Sequence, residues 1–259
     1  MERRQSTHLH GAWWGEPENE AHREVANRMR YLTNQSQAQR EEALFHLNIF
    51  SNFNVDGDGT VGADYMPGKN RKIRRNICAA AVDTAASMIA AGRTMPLYLT
   101  SGADFQLSRR AEQRSRCLHS QFYDLGVFDI GADVFCDGAV TGTGIVKAYR
   151  DASTNKPKLK RRPPNSVFVD LAEGRDPRSY YDVDHFAREV MIAQYPEHRD
   201  FLFDSSGPRI EEMSDFFIRV DSTADVVRVV EAWHMPTTED GDDGRHVICV
   251  DNCTLLDEP

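Results

Sequence analysis

Two short stretches of this chain concentrate positive charge. Lys69, Arg71, Lys72, Arg74 and Arg75 fall in one run, and Lys156, Lys158, Lys160, Arg161 and Arg162 in another. The chemistry open to such segments is binding of a polyanion, in which each neutralised phosphate releases a counterion. Side chains alternate along a strand, so Lys156, Lys158 and Lys160 share one face, away from Leu159. A plainer role exists for each stretch. The first can be a solvated collar, and the second a charged edge strand that blocks unwanted strand pairing. The net charge of −9 makes any basic site a local patch on an acidic body.

Other chemistry is excluded by spacing. Asn54, Asp56 and Asp58 with Gly59 resemble the start of a calcium loop, but its twelfth position would be Tyr65, where a bidentate Glu is needed. The register beginning at Asp56 puts Val61 where the turn glycine belongs, so the stretch reads as a Gly/Asp surface turn. Gly142-Thr143-Gly144 is followed by Ile-Val-Lys and lacks the third glycine of a dinucleotide loop, and no Gly-Lys-Ser/Thr occurs. There is no Gly-x-Ser-x-Gly elbow and no His-Glu-x-x-His helix. His185 and His198 are too far apart for one helical face, while His234 and His246 are expected to face each other across a hairpin as packing partners. Cys78, Cys117, Cys136, Cys249 and Cys253 form no Cys-x-x-Cys pair, which predicts reduced and mostly buried thiols. The expectation is a protein without catalytic residues, metal or cofactor.

The elements that would position these residues follow from periodicity. A chain of 259 residues, 40% hydrophobic and 27% charged, can bury a substantial core. No apolar run reaches the roughly 18 residues of a membrane span, and no apolar core follows Met1-Glu2-Arg3-Arg4, so neither membrane association nor a signal peptide is expected. Trp13-Trp14 stands in an aperiodic arm and is expected to dock on a neighbour rather than tuck under its own domain. Val25, Met29 and Leu32, then Leu44, Leu47 and Phe50, predict helix with a break near Thr33–Ser36. A second helix is expected over 69–93, apolar on most sides from Ile77 to Ala91 and therefore buried on most sides. Cations at its N-terminus would oppose the macrodipole, which points to an acidic partner.

After a short strand at Leu97-Tyr98-Leu99, the residues Leu107, Ala111, Ser115, Leu118, Phe122 and Leu125 mark one helical face. Arg109, Arg110, Arg114 and Arg116 fall mostly away from it. Val127, Ile130, Val134 and Phe135 resume the helical spacing, with Gly131, Gly138 and Ala139 leaving room for another backbone. Thr141-Gly142-Thr143-Gly144 turns the chain into a strand, followed by a hairpin over 150–162 whose tip is Asp151–Asn155. Strands are expected at 167–169, 226–233, 245–250 and 254–256, with a helix over 185–195 capped by Asp184. The class is α+β: long helices plus antiparallel hairpins.

The register Phe-Tyr-Asp, then Cys-Asp-Gly-Ala-Val-Thr-Gly-Thr-Gly-Ile-Val-Lys, then Asn-Ser-Val-Phe-Val-Asp resembles the portal proteins of tailed bacteriophages. The similarity continues through Arg188–Glu197 and returns at Val230–His234 and Gly244–Val250, covering roughly residues 70–257 as a serial order of patterns. It implies an N-terminal arm, helix and loop over 1–68 and a portal wing-like domain over 69–259, incomplete at its C-terminus and without stem, clip or crown. It further implies a ring of twelve copies at one capsid vertex of the virion, assembled in the host cytoplasm. Double-stranded DNA would pass through the ring, and the major capsid protein, a head-tail adaptor and the terminase large subunit would be its partners. Two rivals stand beside this expectation. One is a stand-alone nucleic-acid-binding module using 69–75 and 156–162, and the other a hydrolase built from dispersed acids.

Overall fold

In the computed structural model, residues 13–15, 20–51, 76–102, 104–151, 154–205, 225–238 and 243–258 are described. The chain is α+β, with seven α-helices and antiparallel sheets of two and five strands among these residues. It divides into two compact units, Met1–Arg40 with Asn165–Pro259, and Glu41–Pro164. The expected domain boundary after residue 68 lies outside the described residues.

The first unit is built on a five-stranded sheet in the order β3 (Val167–Val169), β4 (Ser179–Ala187), β5 (Val226–His234), β6 (Arg245–Val250) and β7 (Cys253–Glu258). Alternation along each strand sends side chains to opposite faces. One face carries Phe168, Tyr181, Val230, Ala232, Val247 and Cys249, and these bury α1 (Ala21–Gln35) through Ala21, Val25, Met29 and Leu32. The other face carries Val227, Val229 and Val250, which pack with Met191 of α6 (Arg188–Gln194) and Leu202 of α7 (Arg199–Asp204). Ser36 ends α1 by returning its amide and hydroxyl to the Leu32 carbonyl at 2.9 and 2.8 Å, and α2 (Gln37–Ser51) follows.

In the second unit, α3 (Ile77–Ala91) is followed by α4 (Phe105–Asp124) and α5 (Val127–Thr141), and then by the hairpin of β1 (Ile145–Arg150) and β2 (Pro157–Arg162). Asn76 caps α3 by accepting from the Ala79 amide at 2.9 Å, while its Nδ2 donates to the last carbonyls of α2 at Ile49 and Phe50. Asp104 caps α4 through the Gln106 amide at 2.8 Å. Gly126 and Gly142 bracket α5 in the left-handed region, at φ 62° and 87°, which only glycine enters readily. The expected close backbone approach occurs at Gly138, against the backbone of Gly144, whereas Gly131 has open space around it.

Several expectations need correction. The described α3 starts at Ile77 behind a non-helical Asn76, not at 69, because the Asn side chain supplies the N-cap. Residues 97–99 join no sheet among the described residues; the Tyr98 amide donates to Ser115 Oγ at 3.0 Å, and the Pro96 carbonyl meets His119 Nε2 at 3.1 Å. Asp184 and His185 lie within β4, paired with Val229 and Arg228, so the helix begins only at Arg188. Nine-residue pairing with β5 overrides the local cap signal. Trp13 is fully buried in its own unit's core, donating Nε1–H to Tyr181 Oη at 2.9 Å, rather than docking elsewhere. His234 pairs with Arg245 and His246 with Trp233, so the two histidines sit on opposite faces of the sheet. Cys249 and Cys253 are buried, but Cys78 and Cys117 are exposed.

Candidate assembly and nucleic-acid interface

The basic hairpin lies in the second unit. β1 and β2 pair from Ile145↔Arg162 to Arg150↔Pro157, which sets Lys147 opposite Lys160 and Tyr149 opposite Lys158. Like charges directly opposite each other destabilise a bare ladder, so the hairpin must gain its stability elsewhere. Part comes from the turn, where the Asp151 amide donates to the Lys156 carbonyl at 2.9 Å and Asn155 takes φ 57°. Asp151 Oδ2 also stands 2.5 Å from Lys158 Nζ, and this ion pair raises the lysine's proton affinity.

The rest comes from α5. Arg161 grips the buried carboxylate of Asp137 with both Nε, at 2.5 Å, and Nη2, and Asp133 lies 3.7 Å from its Nη1. Its pKa is raised by that hydrogen bond, so its charge is committed inside the unit. Arg162 is only 3% exposed. Arg161 is therefore engaged by α5, whereas Arg162 points to the opposite side of β2 and is buried there. Lys156, Lys158 and Lys160 do reach solvent together, as strand alternation predicts. Lys69, Arg71, Lys72, Arg74 and Arg75 lie outside the described residues. Asp133 and Asp137 belong to no motif, but their four-residue spacing places them on one helical face.

Beside the hairpin's helix, α3 turns Ala79, Val82, Ala85, Ala86 and Ala90 inward, but only Ala86 is fully buried. Its other face is largely apolar and, among the described residues, uncovered: Ile77 is 77% exposed and Met88 72%. The hydroxyls on this helix turn back on themselves, Thr84 donating to the Ala80 carbonyl and Ser87 to that of Asp83, each at 2.6 Å. What α3 shows to solvent is thus largely methyl and methylene surface, interrupted by the Asp83 carboxylate. On α4, Arg109, Arg110, Arg114 and Arg116 are exposed, with Arg116 paired to Glu112 at 2.6 Å.

The first unit contains a constellation with the composition of a hydrolytic triad. Ser179 Oγ donates to Glu173 Oε1 at 2.5 Å and lies 3.0 Å from His234 Nδ1. The order is wrong for nucleophilic attack, because a catalytic histidine stands between serine and acid, whereas here serine stands between acid and histidine. Ser179 is also fully buried. Burial would raise the Glu173 carboxyl, but the Ser179 hydroxyl and the amides of Arg178 and Ser179 hold it below the ordinary value. Burial and the nearby Arg178 lower the His234 imidazole, which stacks on Trp14 at 3.9 Å between centroids. Tyr181 is pushed up to about 12 by burial. Arg178 in turn donates to the Met235 carbonyl and to Asp243, each at 2.7 Å. The cluster is a satisfied polar network that fixes the start of β4 against the end of β5.

Cys253 Sγ lies 3.2 Å from His198 Nδ1, a pairing that could generate a thiolate. Burial instead pushes this thiol up, leaving it protonated at neutral pH and unsuited to attack. Among the described residues, no group of three or more His, Cys, Asp or Glu is placed to hold a metal ion. No helix among them is long and apolar enough to cross a membrane. Comparison with protein-family models and with curated proteins gives no match to this chain.

Proposed function

We propose that this chain is a subunit of a phage portal, a ring at one capsid vertex through which double-stranded DNA is packaged and ejected. The observation that carries the reading is the uncovered apolar face of α3, with Ile77 and Met88 largely exposed. Exposed apolar side chains such as Ile77, Met88 and Ile89 call for protein cover, and a head-to-tail ring supplies such cover at every subunit. The order of motifs along residues 70–257 supports the same reading. On this reading the chain is not an enzyme, and the energy for DNA movement comes from a separate terminase. The capsid protein, a head-tail adaptor and terminase are its partners, and the portal vertex of the virion is its location.

The exposed row Lys156, Lys158 and Lys160 favours a second reading, a module that binds nucleic acid without assembling. Native mass spectrometry of the full-length protein, together with imaging of the particles that contain it, separates the two. A closed ring at a single vertex supports the portal. A monomer that binds duplex DNA with steep salt dependence supports the module, and a monomer within intact particles that have no ring refutes the portal.

A further inference from the structure

In the first unit, one polar cluster spans three adjacent strands. His246 of β6 sits opposite Trp233 of β5 and Glu258 of β7. Its ring stacks on Trp233, with centroids 5.5 Å apart and planes within 5°. Nε2 lies 3.1 Å from Glu231 Oε1, and Nδ1 lies 3.5 Å from Glu258 Oε2. A carboxylate therefore faces each ring nitrogen. Both contacts are hydrogen bonds only when both nitrogens carry protons, since ionised carboxylates accept and never donate.

The strand held in this way is an edge. Among the described residues β7 pairs with β6 alone, and the ladder is shifted at Ile248/Cys249. A second tie, Arg245 to Asp257 at 2.8 and 2.6 Å, joins the same strands through a guanidinium that does not titrate. The same face also carries, farther along, Cys253 in contact with His198. Asp182 of β4 pairs with Glu231. The Tyr195 phenol is raised by burial and by the charges of Glu231, Glu197 and Glu258, which places these groups in one electrostatic neighbourhood. The carboxylates among them favour a cation between them. Burial alone lowers the proton affinity of His246, but Glu231 and Glu258 outweigh it, and the imidazole holds its proton above the ordinary value.

We propose that His246 is a proton-operated fastener for β7: its imidazolium bridges Glu231 and Glu258, and loss of one proton releases the outer end of the edge strand. The direction follows from linkage. With the folded value raised, the tie is fully present below the unfolded pKa of about 6.5 and is lost as pH rises through the folded value. The inference is independent of the portal reading.

The test is NMR on the full chain, following the His246 ring and amide hydrogen exchange in β7 between pH 6 and 9, corrected for the intrinsic pH dependence of exchange. The ring is expected to titrate above the ordinary histidine value. Protection at Leu256 and Glu258 should fall by about tenfold for each unit by which it does so. Glu258→Gln should lower the ring's pKa and flatten that pH dependence, and His246→Gln should abolish it. A ring titrating at or below the ordinary value overturns the proposal, as does β7 protection that ignores pH or a pH step that survives in His246→Gln. Should a variant fail to fold, the wild-type titration and exchange decide alone.

Discussion

Gly144 lies against Val134 so closely that a Cβ at residue 144 would collide with the Val134 carbonyl oxygen and stand 2.8 Å from its Cγ1. The obstacle is largely backbone, so no rotamer change relieves it. Gly144→Ala should therefore destabilise the 41–164 unit by about 1–3 kcal/mol through overpacking. Gly131→Ala, with nothing within 4 Å, should stabilise α5 by about 0.5–1 kcal/mol. Chemical denaturation of the two variants checks the contrast; equal effects would mean that the strand does not rest on α5.

The pair Arg161–Asp137 gives a second test. Asp137 is 5% exposed, so Arg161→Leu leaves a buried carboxylate without its cation. Removing one partner of such a pair costs about 3 kcal/mol, and an apolar pair of similar volume recovers most of it. Arg161→Leu should thus be more destabilising than the double variant with Asp137→Leu. Were DNA retention the role of Arg161, the double variant would lose binding and gain no stability over the single one.

Substitutions on α3 distinguish folding from assembly. Ala81 is exposed and Ala86 buried. Ala86→Glu should unfold the unit, because it buries an unpaired charge. Ala81→Glu should change the isolated subunit's stability by no more than about 0.5 kcal/mol yet prevent ring formation. Thermal melts and native mass spectrometry read the two properties separately, and rings formed by Ala81→Glu would place the subunit contact elsewhere.

The buried His234 predicts a pH response opposite in sign to that of His246. Its folded pKa is lowered by burial and Arg178, so the native state prefers the neutral ring. The contribution is complete above about pH 6.5 and is lost as pH falls from there toward the folded value. Urea midpoints at pH 7.5 and 5.5 should fall further for the wild type than for His234→Gln. An identical slope in both would assign the acid sensitivity to other groups.

Local signals made some of this architecture legible. The spacing of Val25, Met29 and Leu32 gives both α1 and its buried face, and Gly142 and Gly144 mark the turn from α5 into β1. The face of α4 was legible at Ala111, Ser115, Leu118 and Phe122, but Leu107 at its start remains 48% exposed. What escaped depends on distant partners. Asp184 resembles a helix cap until β5 claims the strand. Trp13 finds Tyr181 across 168 residues, with no trace of that contact in its own neighbourhood. Within the candidate site, charge counting found the lysines and arginines of β2, but only the packing of α5 separates the ones facing solvent from Arg161, which is already engaged.

The division of the chain sets an order of events during synthesis. Residues 41–164 are contiguous, so that unit can begin to form once they have left the ribosome. Its companion cannot, because α1 packs on β6 and β7, which are translated after the whole of 41–164. Until they emerge, Val25, Met29 and Leu32 have no sheet to cover them, and contacts of such long range close slowly. The nascent chain therefore carries the apolar face of α1 uncovered until β6 and β7 have emerged. A chaperone that protects amphipathic segments should associate with it before β6 and β7 appear, and leave once they pair.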